Sequence, residues 1–235
     1  PGDILADNSV VTATFKTSAK NIKMYKINNT IVSENHPVLH NDTFIKVKNH
    51  PRAKSILYKL PYLYCINTST KVIKTLDNTF LDWDELTDEE FNILKYKYRS
   101  NSFKIKTKYD LHKWLEGGIY KYQEVTMNDK TKKYICDIDV GDILEDNTIV
   151  IGTAKINLKD IDLYYHKINN NLLLSSNNIS IKSEFGVYST IFSEKTKSAF
   201  IDKDDYLYNL ITDKQQFKIN NILVKDYNGC LEELI

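Results

Sequence analysis

Residues 2–16 read GDILADNSVVTATFK, and residues 141–155 read GDILEDNTIVIGTAK. Further blocks follow each copy in the same order. MYKINN (24–29) is answered by YYHKINN (164–170), LYCINT (63–68) by LYNLIT (207–212), and FLDWDEL (80–86) by VKDYNG (224–229). Ordered blocks at an offset of roughly 140 residues point to an internal repeat, and a repeat constrains the fold before any single element is assigned. Two copies are too few for a solenoid, so the expectation is a duplicated globular unit.

Within the first copy the strand signals are short and dense. Residues 10–15, 23–27 and 30–32 are rich in β-branched or aromatic side chains, and Asn28-Asn29 separates the last two as a turn. Asn41-Asp42 tolerates the left-handed backbone that tight hairpins demand. Residues 44–47, 63–66 and 71–74 continue the pattern. The middle differs. Thr87 and Glu90 form a capping box that opens a helix with Phe91, Leu94 and Tyr98 on one face. A second helix is expected over 108–116, with Leu111, Trp114 and Leu115 as its apolar side and Gly117-Gly118 as its stop. Short strands at 125–127 and 133–135 lead into the second GDIL, and 228–234 is expected to end the chain in a turn or helix. The expected fold is mainly β: one β unit over 1–86, a helical linker over 87–117 that packs the units together, and a second β unit over 118–235.

Composition narrows the function classes. At 235 residues, 42% of them hydrophobic, with 16 Tyr and 9 Phe, the chain can build real cores. Lys plus Arg exceeds Asp plus Glu by one, which argues against a nucleic-acid surface as the main function. No apolar run approaches the roughly 20 residues of a membrane span, and the missing signal peptide carries little weight because Pro1 need not be the native start. Cys65, Cys136 and Cys230 are odd in number and form no CxxC pair, so neither zinc nor any other cofactor is expected and a reducing compartment is favoured.

After the first GDIL and its strands comes Ile31-Val32-Ser33-Glu34-Asn35-His36-Pro37-Val38-Leu39. This order resembles the Hint superfamily of hedgehog autoprocessing domains and inteins, in which a (V)TxxH block carries the catalytic histidine; Ser33-x-x-His36 matches it with Ser for Thr. The runs VKNHPRA (47–53), PYLYCINT (61–68) and FLDWDE (80–85) look like Hint relatives from large viruses and protists. The resemblance implies a horseshoe-like all-β fold and an acyl shift. A Cys or Ser attacks the preceding peptide carbonyl, His36 protonates the departing amine, and Ser33 holds the scissile peptide. Amide nitrogen leaves poorly, which is why a group titrating near neutral pH is needed. His50 and Cys65 are secondary candidates. His50 before Pro51 reads more simply as a turn residue, and Cys65 as a small buried hydrophobe.

The departures from the family pattern are as telling. In the second copy the nucleophile position, near Gly118 or Ile119, holds no Cys, Ser or Thr, and the histidine position falls on Asn178, or on Asn177 without a gap. Asn cannot exchange a proton at neutral pH, so this copy reads as inactive. In the first copy the nucleophile is expected roughly two dozen residues upstream of Gly2, so the sequence reads as incomplete. The leading expectation is self-processing at the edge of the first unit, with its own upstream polypeptide as substrate. The rival is an inactive Hint-derived structural or protein-interaction module, cytoplasmic or part of a virion, with a protein partner and neither nucleic acid nor membrane. Asp82, Asp84 and Glu85 around Trp83 read as an exposed acidic turn, and Trp83 and Tyr227 as matching packing anchors.

Overall fold

The computed structural model describes residues 1–97, 106–111, 116–183, 186–190, 193–198 and 206–234. The N-terminal half contributes β1 (Val11–Ser18), β2 (Met24–Ile27), β3 (Thr30–Ser33), β4 (Pro37–His40) and β5 (Thr43–Lys46). It continues with β6 (Lys54–Ile56), β7 (Tyr62–Thr68), β8 (Val72–Lys74) and β9 (Thr79–Leu81). Helix α1 (Asp88–Lys97) follows, then β10 (Ile119–Tyr120), β11 (Glu124–Thr126) and β12 (Lys132–Tyr134). The C-terminal half holds β13 (Val150–Asn157), β14 (Tyr164–Ile168), β15 (Asn171–Ser175), β16 (Ser180–Ser183) and β17 (Gly186–Ser189). It ends with β18 (Glu194–Lys197), β19 (Tyr206–Thr212), β20 (Gln216–Ile219), β21 (Ile222–Lys225) and helix α2 (Tyr227–Leu234). The fold is mainly β.

The repeated phrases make the same local structure. Gly2 N–H donates to the Val11 carbonyl (2.7 Å) and Gly141 N–H to that of Val150 (2.8 Å). Both glycines sit at φ near +97°, +96° and +98° in turn, a conformation that L side chains avoid, which explains the shared Gly. Each phrase then closes a turn on an Asp: Asp7 accepts from Ser9, and Asp146 from Thr148. Asn28 (φ 50°) turns β2 into β3 as Asn169 and Asn170 (46° and 65°) turn β14 into β15, and Asn41 and Asp42 (46° and 61°) turn β4 into β5.

An eight-stranded sheet, ordered β18-β14-β15-β10-β19-β13-β1-β7, runs through both halves. Its seam is antiparallel β1 against β13, centred on Phe15 opposite Ala154. These two residues occupy the same place in their GDIL phrases, and Ala13↔Ile156 on one side is matched by Thr17↔Gly152 on the other. The seam therefore has the self-complementary register of a two-fold dimer contact. Two four-stranded sheets flank it, β5-β4-β9-β8 and β17-β16-β21-β20. The core is built from Ile27, Val38, Val47 and Phe80 in the N-terminal half, and from Ile119, Leu173, Ile181, Leu210 and Phe217 in the C-terminal half. Phe15, Ile156, Leu207 and Tyr227 close the seam between them.

The linker is described in part. The Thr87–Glu90 capping box opens α1, with Glu90 N–H on Thr87 Oγ1 (3.2 Å) and Thr87 N–H on Glu90 Oε2 (2.8 Å), and Leu94 is buried. Of the expected second helix, Lys108–Leu111 form a 3₁₀ turn, and residues 112–115 lie outside the described residues. Tyr98, Trp114 and Leu115 lie outside the described residues. The halves are joined by sheet hydrogen bonds across β1 and β13, which no helical linker has to supply.

Candidate functional site

His36 stands on the tight connection after β3, where its N–H donates to the Ser33 carbonyl (3.3 Å). The imidazole is 12% exposed and faces a groove of about 540 Å³ between β3 and β7. Nε2–H donates to the Leu81 carbonyl (2.9 Å), which fixes the neutral tautomer and leaves Nδ1 with its lone pair. Nδ1 lies 3.6 Å from Glu85 Oε1. Burial lowers the His36 pKa, partly offset by the Leu81 contact, so the ring is neutral at pH 7. Burial raises the Glu85 carboxyl. The two shifts run in opposite directions, each set mainly by burial, and at 3.6 Å the two groups are close without being hydrogen-bonded.

Ser33, at the end of β3 opposite Met24, lines the same groove, and so does Cys65 on β7. Cys65 is not activated: burial pushes its thiol up to about 12, its Sγ–H donates to the Ile66 carbonyl at 3.7 Å, and it packs against the seam core. His50 is not among the groove-lining residues. It ends a 3₁₀ turn in extended geometry (φ −76°, ψ 132°), as a residue before proline should, and its ring lies edge-on to His40 at 4.7 Å.

The C-terminal half shows how a comparable place is built when it is closed. The Val47 N–H to His36 carbonyl bond (3.0 Å) has its counterpart in Thr190 N–H to Ile179 (2.8 Å). Ile179 therefore stands in register with His36, which corrects the assignment to Asn178; the strand pairings and the loop before β16 absorb the difference. Gly118 leads into β10, and its N–H donates to Ser176 Oγ (3.0 Å). Asn209 Nδ2 donates to the Gly117 carbonyl (3.2 Å). A Cβ on Gly118 would come within 2.6 Å of Leu207 Cβ, so packing leaves no room for a nucleophile there.

Behind the groove lies a cluster of charges that the sequence did not announce. Asp82 and Asp84, expected in an exposed turn, are buried, and so are Lys71 and Glu116. Lys71 Nζ donates to Asp84 (2.8 Å) and to Glu116, with Asp82 at 3.7 Å. Thr12, thrown out of register by a bulge in β1, donates to Glu116 (2.9 Å), and Tyr227 donates to Asp84 (2.8 Å). Burial alone would lower the Lys71 pKa, but Asp82, Asp84 and Glu116 outweigh it and hold the ammonium well above its usual range. Burial pushes Asp82 up to about 7 against the pull of Lys71. Glu85 stays half exposed. Among the described residues no group of three or more His, Cys, Asp or Glu is placed to hold a metal ion; the centre of this acid cluster is filled by the lysine.

Trp83 and Tyr227 meet at the seam. Trp83 stacks on one face of Phe15 (4.8 Å, 13°), and Tyr227 meets the same ring edge-on (4.9 Å, 73°). Each also bonds across the seam beside the other: Trp83 Nε1 to Asn228 (3.2 Å), Tyr227 OH to Asp84.

No protein-family model and no curated protein matches the chain. Among solved structures it is similar to the gp41-1 intein, with 16% identity over 46% of this chain and 98% of that one and a TM-score of 0.36. It is similar also to the MchDnaB-1 intein, with 10% identity over 46% of this chain and 98% of that one and a TM-score of 0.36. A DnaB intein from Synechocystis sp. PCC 6803 aligns at 10% identity over 47% of this chain and 98% of that one, with a TM-score of 0.34.

Proposed function

We propose that the N-terminal half is a self-processing module of Hint type and that the C-terminal half is its inactive partner. The observation that supports this is the placement of His36 and Ser33 in one groove, with His36 Nδ1 directed to Glu85 and Nε2 tied to Leu81. A hydroxyl or thiol following the scissile bond, carried on the substrate polypeptide, attacks the preceding carbonyl carbon. Its proton passes to Nδ1. The tetrahedral adduct then breaks its C–N bond, Nδ1 returns the proton to the amine, and an ester or thioester remains for water to cleave. Ser33 holds the peptide, as Ser176 Oγ holds the Gly118 N–H in the other half. Cys65, its thiol raised, is not assigned the nucleophile's role.

The test is intact mass of a precursor carrying the native sequence that precedes Gly2, freshly expressed, with and without thiol. Cleavage roughly two dozen residues upstream, slowed about a hundredfold or more in His36→Ala, is the expected result. Equal cleavage in that variant removes His36 from the mechanism.

A second reading, an inactive module that serves as scaffold or binding surface, is favoured by Ile179 in the His36 register and by Gly118 at the head of β10. A precursor that stays uncut under both conditions would establish it.

A further inference from the structure

We infer that Tyr227 and Asn228 of the C-terminal half are positioning residues for His36, acting through residues 81–85 of the N-terminal half, which carry both groups that meet the imidazole. The inference deepens the reading above, and rests on it only for the consequence that cleavage depends on both halves.

One short segment flanks His36. The Leu81 carbonyl accepts from Nε2 at 2.9 Å, and the Glu85 carboxylate stands 3.6 Å from Nδ1. The turn that brings both ends of the segment to one ring costs energy: Glu85 has φ 52°, and its N–H donates to the Asp82 carbonyl (3.1 Å). A side-chain-bearing residue stays in that sparsely populated region only where its surroundings over-determine it. Here they come from both halves. Asp82 N–H donates to the Lys71 carbonyl (3.2 Å) and Trp83 N–H to that of Ile66 (3.3 Å), both within the N-terminal half. The two side chains in the middle of the segment are held from across the seam. Tyr227 OH donates to Asp84 Oδ1 (2.8 Å), and Asn228 Oδ1 accepts from Trp83 Nε1 (3.2 Å). Lys71, the other donor to Asp84, also donates to Glu116 in the stretch leading to β10.

The half with Ile179 in the His36 register thus contributes a clamp on the segment that faces His36. Releasing the clamp lets the turn relax, which uncovers the imidazole and misplaces the Leu81 carbonyl. Burial is the larger cause acting on His36, so uncovering moves its titration up towards the ordinary value. The carboxylate beside the ring is Glu85, with Lys46 and Glu90 near it in turn. Tyr227→Phe and Asn228→Ala each exchange one neutral side chain for another, so neither changes the charge around the ring, and an effect on His36 has to travel through the segment.

The experiment follows the His36 ring signal of the intact chain by NMR through a pH titration, the signal being identified by its loss in His36→Gln. Every variant is measured at a temperature where it stays folded, so lost stability alone does not move the midpoint. Tyr227→Phe should raise it by about half a unit or more, and Asn228→Ala by less. Val125→Ala, a truncation in the separate core of the C-terminal half, should leave it in place. In the precursor, Tyr227→Phe should slow cleavage about tenfold or more, with the acid limb of the pH–rate profile moving up alongside the His36 midpoint. Unchanged midpoints in both seam variants, or an equal shift in Val125→Ala, would overturn the inference. Should Tyr227→Phe not fold, Asn228→Ala decides alone, and a midpoint equal to the parent's overturns it. A midpoint that responds in a precursor that stays uncut sinks the processing reading alone, and His36-dependent cleavage indifferent to both seam variants sinks this one alone.

Discussion

The two halves solve one backbone problem with different side chains. Lys71 and Gln215 occupy the same turn, with φ of +60° and +53°, and each carbonyl accepts the N–H of the aspartate that follows, Asp82 or Asp226. In each half that aspartate accepts a threonine N–H, from Thr68 or Thr212. There the likeness stops. Lys71 is buried among three carboxylates, whereas Gln215 is exposed and bonds Glu232 at 2.7 Å. The contrast extends to the sheet edge: β7 ends the eight-stranded sheet, whereas β19 is flanked by β10. Backbone geometry is shared; charge and occupancy are where the halves have parted.

The comparison breaks most visibly at Lys71. Lys71→Met leaves buried carboxylates without their cation and should cost about 3–5 kcal/mol, whereas Gln215→Met at the exposed counterpart should stay within about 0.5 kcal/mol. Urea unfolding of both variants decides it, and equal losses would mean the buried cluster is not held by its lysine.

Asp82 gives the cluster a pH signature. With a folded pKa of about 7 against an unfolded value near 4, the folded chain keeps a proton that the unfolded chain has already lost between them. The group's penalty therefore grows as pH rises from about 4 and is complete above about 7. Asp82→Asn removes it, so the stability difference between variant and parent should move in the variant's favour from about pH 5 to pH 8. A flat difference would show that Asp82 stays ionised across that window.

Across the seam the exchange is reciprocal but unequal. Tyr227→Phe strands a buried Asp84 oxygen and an Asn67 amide, and should cost about 1–3 kcal/mol. Asn228→Ala removes only a neutral, partly exposed bond to Trp83 and should cost about 0.5–1.5 kcal/mol. Thermal melts that rank them the other way would place the weight of the seam on Trp83. The finest comparison is between Asp7→Ala and Asp146→Ala, which remove matching turn bonds. Both should lower the urea midpoint, by amounts that agree if the two GDIL turns are equivalent in energy as well as in shape.

What the sequence discloses is local. The GDIL glycines, the Asn turns and the Thr87–Glu90 cap are each determined by residues within a few positions of one another, and all are found in the fold. The mainly β class follows from the same short-range signals. The acid cluster was illegible because its members meet from far apart: Lys71 to Glu116 spans 45 positions and Tyr227 to Asp84 spans 143. An aspartate is almost never buried without such a partner, so in the absence of the partner the sequence favoured an exposed turn. Ile179 was missed for a related reason. The register of β16 is set by hydrogen bonds to a strand and loop downstream, and without them the Asn pair is the natural match to His36. One signal was available: Trp83-Asp84 and Tyr227-Asn228 are matching aromatic–polar pairs, and each polar member proved to be the partner of the other half's aromatic.

The seam between β1 and β13 also decides how this protein can be taken apart. Because its register is self-complementary, either half produced alone would present the edge that β1 or β13 now covers, and that edge would be open to a second copy of the same half in the same backbone register. Fusion in one chain turns that encounter into an intramolecular one, whose effective concentration does not fall on dilution. Dissected halves would therefore tend to pair with themselves or precipitate, and the two halves have to be moved between contexts together.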